Sequence, residues 1–287
     1  MNEYYLEKSG GLGDVFWSYY YHDQRFDRAY CNLLKKIKNL EPNCRITYVS
    51  CTNNSQVRQF YENNPFIDNL VVLPMSSWTN GSWAQHIKNK KCILTIDGVF
   101  YGENKGPVNE FFLSQEENIK FEEIKAAGKY VVIHPFGGCP TRTFVQQNFY
   151  MKTVVDEILA NGFKCVVVGG NDNRNESFYK QVFTIQKENC ENLIDKFTCR
   201  LHACLTAHAN GFIGIGSCFS VISAIFDIPS LLFYPISWKS WVEGTKPNEP
   251  YSVIAEKFCQ NKFEIEYFEN PSCDTKQKVK LFLDKLL

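Results

Sequence analysis

Four times along this sequence a short apolar run ends in a glycine-rich loop and gives way to a longer amphipathic stretch. Residues 4–7 lead into Gly10-Gly11-Leu12-Gly13, and residues 130–134 (YVVIH) into Gly137-Gly138. Residues 164–168 (KCVVV) lead into Gly169-Gly170, and residues 212–215 into Gly216. Short strands alternating with helices read as βαβ units and parallel sheets. The loops then fall at the carboxyl ends of strands, the edge where open α/β sheets bind ligands. Three of the four lie in the second half, and their convergence on one sheet edge favours a phosphate-bearing ligand.

The rest of the chain extends this pattern. A long helix is predicted from Asp14 to about Asn39, a strand at 45–50, and a helix at 55–63 that stops before Pro65. Strands follow at 69–73 and 92–96. Residues 97–128 are less regular, with a charged helical stretch at 115–125. The second half adds helices at 148–161 (closed by Gly162), 176–187, 200–209 and 217–226, a strand at 230–233 and a last helix at 274–287. A chain of 287 residues suits two domains of about 130–150 residues each. The boundary is placed at Ala126-Ala127-Gly128, giving domains 1–127 and 128–287. With 44% apolar residues, both can bury a core.

Charge and cysteine usage exclude several classes. Lys plus Arg equals Asp plus Glu at 31 each, so the chain does not hold a polyanion by bulk charge, which weighs mildly against a nucleic-acid partner. The 12 cysteines stand singly, without zinc-ligand spacing. The polar start Met1-Asn2-Glu3-Tyr4 does not read as an export signal, so reduced thiols in a cytoplasmic protein are expected. No apolar run approaches the roughly 20 residues of a membrane span, and any membrane contact would be peripheral.

Each glycine loop has a chemical reading and a plainer one. Gly11, Gly13 and Asp14 form a strand-to-helix turn that can bring N–H groups to a ligand; simple N-capping by Asp14 serves equally. It is not a full GxGxxG, and no acidic residue follows at dinucleotide spacing. In the second loop, Gly137 and Gly138 allow close backbone approach, and Thr141 and Arg142 offer donors for phosphate oxygens. Gly169-Gly170-Asn171 reads as a ligand loop or a tight turn. Gly216-Ser217-Cys218-Phe219-Ser220 opens a helix whose N-terminus can hold an anion, or its serines are plain caps. His202 and His208 lie six apart on one predicted helix and read as ordinary helix residues. Trp238 and Trp241 could stack on a sugar or base, or pack a loop.

The order of these segments resembles glycosyltransferase family 9, the ADP-heptose heptosyltransferases of lipopolysaccharide core assembly. Gly13-Asp14-Val15 is similar to that family's N-terminal Gly-Asp-Val; residues 130–142 with Phe144 are similar to its strand and basic loop. Val168-Gly169-Gly170, Phe197-Thr198, residues 213–220 and Asp227-Ile228-Pro229 follow in the family's order. The resemblance implies a GT-B fold of two Rossmann-like domains whose parallel sheets face a central cleft, with an acceptor-side first domain and a donor-binding second. It implies Asp14 as catalytic base and Arg142 as the residue holding the donor diphosphate. The chain departs from the family where an Asp-Ser-Gly followed by His is usual: here it reads Gly216-Ser217-Cys218, with Val221 near the His place.

The expected activity is metal-independent transfer of a sugar from a nucleoside-diphosphate sugar to a hydroxyl of a saccharide or glycolipid. The nucleotide sugar is a co-substrate; no resident cofactor or metal is expected. Asn171-Asp172-Asn173 is the nearest approach to an Asp-x-Asp metal motif. Two other readings stand beside it: a DNA-modifying sugar transferase, and a non-catalytic nucleotide- or nucleotide-sugar-binding protein on the same fold. A sugar-nucleotide epimerase would need further carboxylates or histidines, which the sequence does not place.

Overall fold

A computed structural model describes residues 1–20, 30–53, 56–93, 110–135, 147–170, 185–235, 263–268 and 274–287. The chain divides into two compact units: Met1–Ser114 with Thr198–Arg200, and Gln115–Phe197 with Leu201–Leu287.

The first unit contains β1 (Glu3–Ser9), α1 (Leu12–Tyr20), α2 (Tyr30–Leu40), β2 (Arg45–Cys51), α3 (Gln56–Tyr61), β3 (Asn69–Leu73), α4 (Met75–Thr79) and β4 (Lys91–Cys92). Its sheet has the order β3-β2-β1-β4, all parallel, with β1 and β2 in register from Glu3↔Arg45 to Ser9↔Cys51. The core is aromatic. Phe60 sits among Phe16, Tyr19, Tyr20 and Tyr61, at ring-centroid distances of 4.8–5.5 Å and steep interplanar angles. Buried tyrosines need partners for their hydroxyls. Tyr61 donates to the Tyr48 oxygen at 2.6 Å, and the Asn64 amide donates to Tyr19.

The second unit contains α5 (Gln115–Ala126), β5 (Tyr130–His134), α6 (Gln147–Ala160), β6 (Lys164–Val167), β7 (Cys190–Asn192), α7 (Cys199–Ala207), β8 (Gly211–Ile215), α8 (Cys218–Ile225), β9 (Ser230–Pro235), β10 (Phe263–Phe268) and α9 (Asp274–Asp284). The sheet order is β10-β9-β8-β5-β6-β7, again all parallel. All five residues of β5 and of β8 are buried, as expected for central strands covered on both faces. The core is mainly aliphatic: Val131 and Ile133 of β5, Val154, Val155 and Ile158 of α6, and Val279 and Leu283 of α9 belong to one cluster, with Phe163, Phe233 and Phe282 among them. Gly162 adopts φ 79° and ends α6, while Phe163 N–H reaches back to Ile158 C=O at 3.2 Å.

Most of the expected strands are present, and the differences have physical causes. The predicted helix from Asp14 to Asn39 is described as α1 and α2, with residues 21–29 outside the described set. The predicted helix 176–187 lies largely outside it as well, and residues 185–187 are not helical. The sequence reading passed over β7 and β10: β7 is three residues long, too short to carry a period. Helix α5 precedes the boundary expected at residue 127 yet clusters with the second unit. There Phe121 packs on the His208 ring at 5.1 Å, and Lys120 pairs with Glu191.

Candidate functional site

In the second sheet the chain runs from β5 to β6 and β7 on one side, then returns to build β8, β9 and β10 on the other. The strand order therefore reverses between β5 and β8. A crevice opens outside the carboxyl ends of strands at such a reversal, and ligands bind there. The residues at this point are His134, which ends β5, and Gly216-Ser217, which follow β8.

Two glycines make the close approach possible. A Cβ on Gly214 would lie 2.6 Å from the His134 carbonyl oxygen; one on Gly216 would lie 2.1–2.3 Å from the Tyr234 ring. The end of β8 thus fits between β5 and the end of β9 only without side chains at these positions.

Ser217 is the N-cap of α8, with extended backbone (φ −156°, ψ −176°). Its N–H donates to Ser220 Oγ at 2.9 Å, and the Ser220 hydroxyl donates back to Ser217 C=O at 2.8 Å. Its own Oγ lies 2.7 Å from His134 Nδ1. The His134 ring meets Phe219 edge-to-face at 4.8 Å, and the His202 ring lies 6.0 Å from Phe219. The first turn of α8 is therefore held from behind by a serine pair, a histidine and a buried aromatic. Its N–H groups and the positive end of the helix dipole supply a preformed anion-attracting centre.

Both histidines are neutral. Burial, with His202 nearby, brings His134 down to about 3 from the ordinary 6.5. Burial also lowers His202 to about 4, against the raising effect of its bond to Leu193 C=O. Because that partner is a carbonyl, His202 Nε2 carries the proton and donates at 3.2 Å. His134 thus contributes position and a hydrogen bond, and no charge.

On the other side of β5, Gly169 follows β6 with φ 146°, and Val168 N–H still bonds Ile133 C=O at 2.9 Å. Gly169-Gly170 therefore borders the end of β5 opposite to Gly216-Ser217. Gly137, Gly138, Thr141, Arg142 and Asn171 lie outside the described residues, as do Phe144, Asp172, Trp238 and Trp241.

In the first unit, Gly10 (φ 127°) turns the chain out of β1, and its N–H bonds Cys51 C=O at 3.2 Å. The Gly11 carbonyl accepts the Val15 N–H at 3.1 Å, and α1 begins at Leu12. Gly11 is thus the cap, Gly13 the second helical residue and Asp14 the third.

Sequence reasoning named Ser217–Ser220 but did not foresee what holds them. His134 stood out only as the last residue of the 130–134 strand, His202 was read as an ordinary helix residue, and Tyr234 was not singled out. The only local signal was a histidine ending an apolar strand before a proline. Among the described residues, no group of three or more His, Cys, Asp or Glu could hold a metal ion. No helix of the described residues is long and apolar enough to cross a membrane.

The structure is similar along nearly its whole length to solved glycosyltransferases. It matches E. coli ADP-heptose LPS heptosyltransferase II with TM-score 0.57 and 12% identity, over 100% of this chain and 98% of that one. It matches the glycosyl transferase family 9 protein of Veillonella parvula with TM-score 0.55 and 15% identity, over 93% and 86%. It matches E. coli heptosyltransferase WaaC with ADP-2-deoxy-2-fluoro heptose with TM-score 0.54 and 11% identity, over 99% and 100%. The fold is that of the GT-B heptosyltransferases. No protein-family model matches the sequence, and no curated protein sequence matches it.

Proposed function

We propose that this protein is a glycosyltransferase that moves a sugar from a nucleoside-diphosphate sugar to a hydroxyl of a saccharide or glycolipid acceptor. The observation that carries the reading is the strand-order reversal of the second sheet, where the N-terminus of α8 is braced through Ser217 by neutral His134. A diphosphate fits the chemistry of such a helix end. The fold supports the same reading, since a protein of the same architecture is known with an ADP-sugar analogue.

In the proposed reaction the acceptor oxygen attacks the anomeric carbon, and the bond from that carbon to the diphosphate oxygen breaks. The acceptor proton passes to the Asp14 carboxylate, and the nucleoside diphosphate leaves with the bond's electrons. Helix dipole, backbone N–H groups and Arg142 stabilise that leaving group, the task a metal performs in other transferases. The first unit would bind the acceptor and the second the donor. The nucleotide sugar enters as co-substrate.

The test is thermal stability against nucleoside diphosphates and nucleotide sugars. A ligand at 100 times its Kd stabilises the folded state by about 2.7 kcal/mol. One nucleotide should raise Tm in the wild type and not in Ser217→Asp, where aspartate preserves the cap but sets a carboxylate against the diphosphate. Asp14→Asn should keep that shift and lose turnover; full turnover in Asp14→Asn removes the base assignment. Absence of a shift with any nucleotide overturns the donor reading. A shift without turnover on any acceptor favours a nucleotide-sugar-binding protein.

A further inference from the structure

At the far edge of the second sheet, β6 and β7 place Cys165 directly opposite Cys190. Neighbouring strands run about 4.7–4.9 Å apart, and disulfides join Cα atoms about 4.4–6.8 Å apart. Register partners in a parallel pair also point to the same face. Their surroundings differ. Cys165 is fully buried within the aliphatic core, whereas Cys190 is only packed against its rim. Cys190 lines an open recess of about 390 Å³ together with Lys187, Glu188, Asn192 and Lys196. The neighbouring Cys165 thiol, with help from the Lys187 ammonium, draws the Cys190 thiol below its ordinary value against the effect of burial. Burial lifts the Cys165 thiol well above its own. One sulfur is thus nucleophilic and reachable, and the other is held protonated behind it.

We propose that Cys190 and Cys165 form a redox pair, with Cys190 the site that takes up a small anionic disulfide of the glutathione type and Cys165 the resolving thiol. The Cys190 thiolate attacks one sulfur of the disulfide; that S–S bond breaks, and the first glutathione leaves as thiolate. Cys165 then gives up its proton and attacks Cys190 Sγ, expelling the second glutathione, which takes the proton. Two protein thiols are oxidised to one disulfide while one glutathione disulfide is reduced to two thiols. The ammonium groups of Lys187 and Lys196 suit the carboxylates of that reagent, although Lys187 also pairs with Asp156. This assignment does not rest on the glycosyltransferase reading.

The experiment incubates the reduced full-length chain with glutathione at a series of oxidised-to-reduced ratios, blocks remaining thiols in acid and maps cysteines by mass spectrometry. The expected product is a peptide pair joined through Cys165 and Cys190. It should be absent in Cys190→Ser, and Cys165→Ala should instead retain glutathione on Cys190. The wild-type map alone decides if Cys165→Ala fails to fold. A map in which Cys190 stays a thiol while half-buried Cys92 or Cys218 takes up glutathione overturns the proposal. So does one in which Cys190 is glutathionylated but never joined to Cys165.

Discussion

The two units use the same parallel α/β plan and fill it with different chemistry. The first packs rings: Phe16, Tyr19, Tyr20, Phe60 and Tyr61 meet edge-to-face, with tyrosine hydroxyls bonded inside the core. The second fills its core mainly with aliphatic side chains of β5, α6 and α9, with Phe163, Phe233 and Phe282 among them, and buries His134 and His202 on either side of Phe219. Ring quadrupoles and buried hydroxyls fix orientation as well as volume, so the first core depends on a few large pieces. A core of mainly aliphatic side chains tolerates small changes of volume, and what is specific in the second unit is its buried histidines.

Acid should separate the two units most strongly. His134 and His202 take up protons near 6.5 once unfolded, but only near about 3 and about 4 while folded. Their neutral burial therefore gives full stability above pH 6.5, and that stability is lost as pH falls from 6.5 towards 4. At about 1.4 kcal/mol per unit of displacement, the pair makes this the largest effect. Hydrogen exchange, corrected for intrinsic rates, should show β5 and β8 losing protection before β1 and β2. The reverse order would break the comparison.

Next comes Phe60→Ala. It removes the ring that touches four others and should cost about 3–5 kcal/mol in urea unfolding at pH 7. A loss near 1 kcal/mol would mean the first core collapses around the gap and is no more specific than the second.

A finer test is Tyr61→Phe, which deletes only the hydroxyl donated to Tyr48. It should cost about 0.5–1.5 kcal/mol. A neutral result would reduce the first core to space-filling. The counterpart in the second unit, Ile213→Val, removes one methylene from β8 and should cost about 0.5–1.5 kcal/mol, near the lower end if the aliphatic core adapts. If it exceeds Phe60→Ala, the contrast between the units is inverted.

Much was determined by the sequence alone, because strand and helix periods, glycine turns and caps are local properties. The apolar runs at 130–134, 164–168 and 212–215 became β5, β6 (Lys164–Val167) and most of β8, and Gly162 ended α6 as expected. Ser217–Ser220 was legible as a helix opening for the same reason. Other features were decided only when the crossovers set strand order. His134 and Ser217 stand 83 positions apart and meet because β8 is laid beside β5. Cys165 faces Cys190 because β7, too short to announce itself, pairs with β6 in one register. Gly216 is legible as part of a helix-opening loop, but its need for a bare Cα shows only when β9 brings the Tyr234 ring against it. Period and turn chemistry are written in neighbouring residues; which side chains meet across a sheet depends on where the chain returns, and no local pattern encodes that.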